Sequence, residues 1–357
     1  YEIGSGLVGS EMCIRDRSRQ VKKRIFMQKG SLMSFKAKRF FKKLVSWIGL
    51  FFFAFAAYML YHQLSKYDFE DIKSAVLSIP NKNLMLASLA SLGGYVALSS
   101  YDYLALRYVH RKLSPLKWIF AGFIGFSVSN NAGHAIVSGG SIRYRLYARW
   151  RFHASEIVQM VTFSGFTYLV ACFFLIILGY FLTPNHAFGE GSVSKMTTEI
   201  ITAVSAIGLL VYFGASLFYK KPIVIKDIAF EMPSFRMALA QVFIGGADIL
   251  LASLVLYFSM IPFLDISFDV FIGVFIIAQV LGVYSQVPGG LGVFEGLFLY
   301  IIPGDTDPAL LFGALIAYRI IYYLLPLVIS SVLLFSYEGY LGYSRNRRLR
   351  REQKKAL

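Results

Sequence analysis

The sequence predicts an all-α polytopic membrane protein with about six full spans and two re-entrant helical hairpins. Hydrophobic residues make up 57% of the 357 residues and charged residues only 16%, well below the roughly 25% that is usual in soluble domains. The mean hydropathy is +0.59. Several apolar runs reach about 18 residues, the length that an α-helix needs to cross a bilayer core.

The chain divides into four parts by composition. Residues 1–26 fit nothing that follows and resemble translated sequencing-adapter read-through, so we interpret them as a leader foreign to the protein. Residues 27–43 form a basic segment that is predicted to be cytoplasmic. Residues 44–340 form the transmembrane domain, and residues 341–357 form a second basic cytoplasmic segment.

The net charge of +16 is concentrated in the two basic segments. Basic residues beside membrane spans mark the cytoplasmic side and attract anionic lipid. Neither segment belongs to a known nucleic-acid-binding module, so no nucleic-acid partner is predicted. Cys13 and Cys172 give neither a disulfide framework nor a metal-ligand spacing. P-loop, GxSxG and HExxH motifs are absent, so we predict no metal, no cofactor and no familiar hydrolase chemistry.

Six apolar runs are predicted to be complete spans. The first has lysines at its entrance and lacks a small-residue cleavage site, so we interpret it as a retained span and not as a signal peptide. A loop of mixed charge, residues 62–83, separates the first span from the second. The predicted spans are residues 44–61, 84–108, 157–182, 198–219, 237–258 and 310–335.

The first re-entrant hairpin is predicted between the second and third spans. Residues 118–129 are apolar but too few to cross the bilayer comfortably. Gly139 and Gly140 follow and are interpreted as a structural break, which is tolerated at membrane depth where protein or a wet cavity covers it. Residues 142–151 then carry apolar side chains every fourth position among arginines, which is typical of a basic amphipathic helix at the interface.

The second re-entrant hairpin is predicted within residues 271–302. Its break is placed at Pro288, Gly289 and Gly290, because proline ends a helix and glycine turns tightly.

The charges of the loops predict an inverted repeat. If each hairpin enters and leaves on one side, the basic loops near 107–117 and 220–226 fall inside and the acidic loop near 265–269 falls outside. Two units of span, hairpin and span, about 84–182 and 237–335, then start on opposite sides. Many transporters are built in this way.

Four ionisable side chains within the membrane domain are candidate functional residues, since such groups are costly in lipid and usually face a pathway or a partner. They are Asp102, Asp248, Glu295 and Arg319. A structural ion pair of Arg319 with Asp248 or Glu295 is the competing interpretation. For Asp102 the alternative is plain solvation near the inner end of its span.

A second group of polar residues surrounds the first glycine pair. Arg143 and Arg145 are candidate ligands for a lipid phosphate, because a guanidinium binds phosphate through two hydrogen bonds; anchoring at the interface is the alternative. Asn130, Asn131 and His134 either line a polar cavity or cap the broken helix. His134 has no partner at ligand spacing, so it does not predict a metal site.

Three ordered motifs carry a resemblance to a known family. Residues 129–134 read SNNAGH and residues 138–147 read SGGSIRYRLY; residues 287–295 read VPGGLGVFE; residues 317–326 read AYRIIYYLLP. These motifs resemble the transmembrane region of lysylphosphatidylglycerol synthase/flippase proteins, the group that includes the multiple peptide resistance factor. The resemblance covers about residues 40–340.

The resemblance implies a bacterial inner-membrane protein that flips or binds a phospholipid, with aminoacylated phosphatidylglycerol as the expected lipid and both termini in the cytoplasm. Resistance to cationic antimicrobial peptides is the associated role, and Glu295 would meet the ammonium of a lysyl headgroup. In the family a separate cytosolic domain transfers the aminoacyl group from tRNA. No soluble stretch here is long enough to hold such a domain, so no enzymatic activity is expected of this chain alone.

Two alternatives stay open at this point. The chain is either a stand-alone member or the membrane part of a lysylphosphatidylglycerol synthase, an aminoacyl-tRNA-dependent phosphatidylglycerol lysyltransferase, whose catalytic domain is absent here. A non-transporting scaffold is the third class, and assembly into a homo-oligomer is also left open.

Overall fold

The long apolar runs form helices because, in lipid, a helix satisfies its backbone hydrogen-bonding groups within its own segment. The computed structural model describes residues 69–132, 135–182, 195–225, 228–284, 288–290, 292–301 and 308–356, all within one compact unit, residues 52–357. Five of the described helices are long and apolar enough to cross a membrane. The predicted first span, residues 44–61, lies outside the described residues, as do residues 1–26 and 27–43.

The regular elements in the first half of the described chain are all helices. Its helices are α1 (Phe69–Leu77), α2 (Asn81–Tyr108), α3 (Pro115–Ala132), α4 (Ala135–Arg149), α5 (Ala154–Leu182) and α6 (Lys195–Phe218). Helix α1 falls in residues 62–83, where the sequence predicted a loop. Helix α6 turns large apolar side chains outward, with Phe218 exposed by 85% and Leu210 by 71%, as a lipid-facing helix does.

The second half repeats the order of long helix, hairpin and long helix. Its elements are β1 (Ile223–Ile225), β2 (Ile228–Phe230), α7 (Phe235–Met260), α8 (Phe268–Tyr284), a 3₁₀ turn (Pro288–Gly290), α9 (Val293–Ile301), α10 (Pro308–Tyr318), a π-helical segment (Arg319–Leu324) and α11 (Leu325–Ala356). The antiparallel β1–β2 pair was not predicted; it forms where residues 220–226 were expected to be a basic loop.

Helices α2 and α7, which begin the two units, pack against each other and run antiparallel. At one end of the pair, Tyr108 OH donates to the Glu231 carbonyl at 2.7 Å. At the other end, Asn83 Nδ2 donates to the Phe258 carbonyl at 2.9 Å. An inverted repeat requires this antiparallel relation, although the repeat itself stays a prediction.

Helix α4 runs without interruption through Gly139 and Gly140, so the predicted break at these glycines is wrong. Helix α3 ends at Ala132 and helix α4 begins at Ala135, both before the glycine pair. Gly139 instead allows α3 and α4 to approach closely, since a Cβ there would clash with Ser129 Oγ and lie 2.7 Å from the Gly125 carbonyl oxygen. A missing side chain serves a tight turn and a close helix contact equally well, and the sequence does not distinguish the two.

The second hairpin breaks at the predicted residues. Gly289 and Gly290 have φ angles of 61° and 63° within the short 3₁₀ turn that begins at Pro288. Residues with side chains rarely adopt this left-handed conformation, so the glycines are required by the backbone itself.

The largest buried cluster includes aromatic rings of α8, α9 and α10 that pack against one another. Phe294 stacks against Phe298 and Tyr318, and Phe271 and Phe275 meet this group edge to face. These ring contacts fix α9 against α8 and α10.

Candidate functional site

The first buried carboxylate, Asp102 on α2, is paired with Arg143 on α4. Arg143 Nε donates to Asp102 Oδ1 at 2.9 Å, and Tyr147 OH donates to Oδ2 at 2.7 Å. The guanidinium lies 4.0 Å above the Phe126 ring, and Gly125 leaves room for it, since a Cβ there would lie 3.1 Å from Arg143 Cζ. Asp102 is 1% exposed, so the interpretation that it is solvated is wrong. We call these residues the Asp102 centre.

The second buried carboxylate, Glu295, pairs with Arg319 at the start of the π-helical segment. Arg319 Nε donates to Glu295 Oε1 at 2.6 Å, and Nη2 lies 2.5 Å from the same oxygen. The other oxygen, Oε2, accepts the Gly292 N–H at 2.7 Å and so caps α9. Arg319 Nη1 donates to the Gly289 carbonyl at 2.5 Å, so Arg319 contacts the break of the second hairpin. We call Glu295 and Arg319 the Glu295 centre.

The third buried carboxylate, Asp248 on α7, is hydrogen-bonded to tyrosines. Tyr101 OH donates to its Oδ2 at 3.1 Å, and Tyr322 OH donates to its Oδ1 at 3.2 Å. Within the described ranges, no Lys, Arg or His nitrogen lies within 4.0 Å of the carboxylate. The proposed Asp248–Arg319 pair therefore does not form, and Arg319 pairs with Glu295. We call Asp248 and its two tyrosines the Asp248 centre.

Pro326 accounts for the irregular helix that presents Arg319. Because proline has no N–H, the carbonyls of Ile321 and Tyr322 lose the donor that position 326 would supply in π and α geometry, respectively. Ser91 Oγ donates to the Ile321 carbonyl at 3.1 Å. Tyr95 OH donates to the Tyr322 carbonyl at 3.0 Å. Side chains of α2 thus replace the missing backbone donor and hold the π-helical segment in place.

Asn131, at the end of α3, joins the first hairpin to the second unit. Its Nδ2 donates to the Ser127 carbonyl at 2.8 Å and to the Tyr323 carbonyl at 3.1 Å. A Cβ added to Gly289 would lie 3.6 Å from the Asn130 carbonyl oxygen. The end of α3 and the break of the second hairpin are therefore neighbours, close to Arg319.

Arg143 and Arg145 lie in different surroundings, although both were candidate ligands for a phosphate. Arg143 is buried in the Asp102 centre, whereas Arg145 Nε lies 3.1 Å from Glu338 Oε1 with its side chain 37% exposed. Arg149 contacts the same carboxylate at 2.6 Å. The remaining candidate, His134, lies outside the described residues.

Three tyrosines of these centres were not predicted: Tyr101, Tyr147 and Tyr322. Each donates its hydroxyl to a buried carboxylate. The sequence did not distinguish these three tyrosines, because it contains 23 tyrosines and a packing role suits most of them. A buried hydroxyl needs a polar partner, and only the packing of the helices shows which tyrosine finds a carboxylate.

The family model for the lysylphosphatidylglycerol synthase transmembrane region matches residues 46–330. An uncharacterized protein of Synechocystis sp. is 32% identical over 84% of this chain and 93% of its own length. The inner membrane protein YbhN of Escherichia coli is 25% identical over 82% of this chain and 91% of its own length. The phosphatidylglycerol lysyltransferase of Staphylococcus xylosus is 27% identical over 79% of this chain but only 32% of its own length.

Proposed function

Because the chain belongs to the family of lysylphosphatidylglycerol synthase transmembrane regions, we propose that it binds a phospholipid and moves it between the two leaflets of a bacterial inner membrane. Aminoacylated phosphatidylglycerol is the lipid we favour. Relatives named phosphatidylglycerol lysyltransferase and inner membrane protein support the lipid and the location. The basic loops support cytoplasmic termini.

The observation that carries this proposal is an unused donor in the Asp102 centre. Arg143 is buried, its Nε is bound by Asp102, and its Nη2 has no hydrogen-bond partner among the described residues. A buried donor without a partner is unfavourable by about 1–3 kcal/mol. A phosphate oxygen would satisfy it through a charge-assisted bond, so a lipid headgroup that reached Arg143 would gain this interaction.

The Glu295 centre forms the second part of the proposed path. Glu295 and Arg319 are both buried and lie beside the Gly289 break and the end of α3. Charged groups inside a membrane domain usually mark a substrate pathway. In this proposal Arg319, with Asn130 and Asn131 nearby, meets the phosphate after Arg143 does. Glu295 then binds the ammonium of a lysyl headgroup when Arg319 moves away.

A reconstitution assay tests the proposal. The full chain is placed in vesicles, and transbilayer exchange of labelled lysylphosphatidylglycerol, phosphatidylglycerol and phosphatidylcholine is measured. We expect exchange of the first two lipids above protein-free vesicles. Arg143→Lys keeps the charge but loses the forked donor geometry, so it should slow exchange by about tenfold or more while the protein stays folded.

Lys221→Gln is the control for loss of one positive charge, because this lysine is exposed and lies two residues before β1. Its exchange rate should equal that of the unaltered chain. The proposal is wrong if no lipid exchanges faster than in protein-free vesicles. It is also wrong if Arg143→Lys behaves like the control.

The second candidate is the membrane part of a phosphatidylglycerol lysyltransferase, and the lysyltransferase relatives favour it. The two candidates differ in chemistry: a translocase moves lipid without changing it, whereas a lysyltransferase forms an ester bond to the headgroup. Incubation of the full chain with lysyl-tRNA, phosphatidylglycerol and the separately supplied soluble part of a lysyltransferase relative, followed by lipid chromatography, distinguishes them, because only a membrane part of the enzyme should raise the yield of lysyl ester. We expect no new lysyl ester from this chain alone.

A further inference from the structure

Asp248 differs from the other two buried carboxylates because no cation neutralises it within the described part of the chain. Asp102 and Glu295 each face an arginine at 2.9 Å or less. Asp248 is equally buried, at 4% exposure, and receives only the hydroxyl groups of Tyr101 and Tyr322. An ionised carboxylate in such a place is unfavourable unless something else compensates its charge.

Among the described residues, the titratable groups that interact with Asp248 lie on α2, α5 and the π-helical segment. Helix α2 brings Tyr95 and Tyr101. Helix α5 brings Tyr168 and Cys172. The π-helical segment brings Tyr322. All are hydroxyl or thiol groups that are neutral as folded, so none of them is a counter-ion, and a proton is the simplest species that removes the charge.

Tyrosine hydroxyls suit both forms of such a carboxyl group. A hydroxyl donates to an ionised carboxylate, and it can also accept the proton of a neutral carboxylic acid after its own O–H rotates. The two tyrosines therefore keep Asp248 hydrogen-bonded before and after it gains a proton. A fixed arginine, which only donates, would favour the ionised form alone.

The position of Asp248 connects its charge to the elements that carry the proposed path. It lies on α7, its partner Tyr101 precedes Asp102 on α2, and its partner Tyr322 belongs to the same π-helical segment as Arg319. A change of charge at Asp248 would change the strength and donor direction of the hydrogen bonds with Tyr101 and Tyr322, which join α7 to α2 and to this segment. Asp102 of the Asp102 centre lies on α2, and Arg319 of the Glu295 centre lies in the π-helical segment.

We propose that Asp248 is a proton-binding site, and that proton uptake and release at this carboxylate accompany the movement of lipid. The proposal rests on the proposed function for its lipid half. Uptake forms one O–H bond on an Asp248 oxygen with a proton from water on one side of the membrane. Release breaks that bond toward water on the other side, and no oxidant, reductant or other co-reactant takes part.

The first test measures lipid exchange in vesicles that hold the full chain under an imposed pH gradient. With a gradient of one pH unit the rate should change by up to about tenfold in one direction relative to the reversed gradient. Asp248→Asn keeps the size and a hydrogen-bonding side chain but cannot exchange the proton, so its rate should be the same for both gradients. Glu199→Gln, which removes an exposed carboxylate on α6, should respond as the unaltered chain does.

The second test needs no lipid transport. Infrared difference spectra of the full chain after a pH jump should show the C=O band of a protonated carboxyl group, and Asp248→Asn should lack that band. Tyr101→Phe and Tyr322→Phe each remove one hydrogen bond and should shift the pH at which the band appears. These two variants keep the test valid if Asp248→Asn does not fold.

The outcomes separate the two proposals. Suppose that the unaltered chain shows the band and Asp248→Asn lacks it, but no lipid exchanges. The translocation proposal then fails and the proton site stands. If lipid exchanges equally under both gradients, or if Asp248→Asn keeps the gradient dependence or the band, the proton proposal is overturned. If the tyrosine variants leave the titration unchanged, it is overturned as well.

Discussion

At the scale of single residues, the molecule depends on charges that are buried in pairs. Asp102 with Arg143 and Glu295 with Arg319 are each within hydrogen-bonding distance and nearly inaccessible. Bringing two charges out of water is unfavourable, and close geometry with further hydrogen bonds offsets this. Tyr147 supplies such a bond to Asp102. The pairs are therefore most sensitive to changes that remove one partner and leave the other.

Asp102→Asn should destabilise the protein by about 3–5 kcal/mol, because Arg143 would remain buried without its counter-charge. The measurement is unfolding by denaturant in detergent. Glu70→Gln removes a carboxylate from an exposed pair with Lys73, which lies at 3.2 Å, and should change stability by about 1 kcal/mol or less. Equal effects of the two substitutions would show that the buried pair contributes no more than a surface pair.

At the scale of elements, the irregular segments are stabilised from outside their own helix. The π-helical segment has two carbonyls without a backbone donor because of Pro326, and α2 supplies Ser91 and Tyr95 in its place. Helix α4 instead depends on close contact with α3 at Gly139. Contacts with neighbouring helices thus fix the position of both segments that carry a buried arginine, α4 and the π-helical segment.

Adjacent glycines of α4 provide a matched pair of substitutions. Gly139→Ala places a methyl group against Ser129 Oγ and 2.7 Å from the Gly125 carbonyl oxygen, so it should force α3 and α4 apart and destabilise by about 1–3 kcal/mol. Gly140→Ala meets only Val161, at 3.6 Å. It should leave stability unchanged or raise it by up to about 1 kcal/mol through helix propensity.

Thermal or denaturant unfolding of the two alanine variants in one detergent checks this expectation. Destabilisation of the same size in both would mean that α3 and α4 do not approach as described. Improved stability of Gly139→Ala would contradict it directly.

At the scale of the whole molecule, two units of similar helix order meet through the antiparallel pair α2 and α7. Hydrogen bonds at both ends of the pair fix its direction. If α2 ends in the cytoplasm, α7 begins there. Exposed Lys112, after α2, and exposed Lys221, before α7, would then share one side, and exposed Asp265, after α7, would lie on the other.

Labelling of single cysteines tests this topology. In a background of Cys13→Ser and Cys172→Ser, cysteine is introduced in turn at Lys112, Lys221 and Asp265, and intact cells without an outer membrane are treated with an impermeant maleimide. We expect labelling of position 265 without permeabilisation, and of positions 112 and 221 only after it, because basic loops stay inside. Labelling of 112 and 221 from opposite sides would mean that the first hairpin crosses the membrane once.

The membrane class, the long helices and the break at Pro288, Gly289 and Gly290 were all predictable from the amino-acid sequence. These features depend on the local chain: apolar length decides whether a segment can lie in lipid, and a left-handed backbone requires glycine wherever the turn is placed. The sequence also identified Asp102, Asp248, Glu295 and Arg319 as unusual, because a charge in an apolar run is visible without any structure.

The contacts of those charged residues, in contrast, depend on how the helices pack. Arg143 meets Asp102, and Arg319 meets Glu295 although Asp248 was an equal candidate, because partners distant in sequence are chosen by how the helices pack. The same packing makes Gly139 a contact between helices and makes Tyr101 and Tyr322 donors to Asp248. A side chain's neighbours across an interface depend on the rotation and separation of both helices, and no local pattern in either helix contains that information.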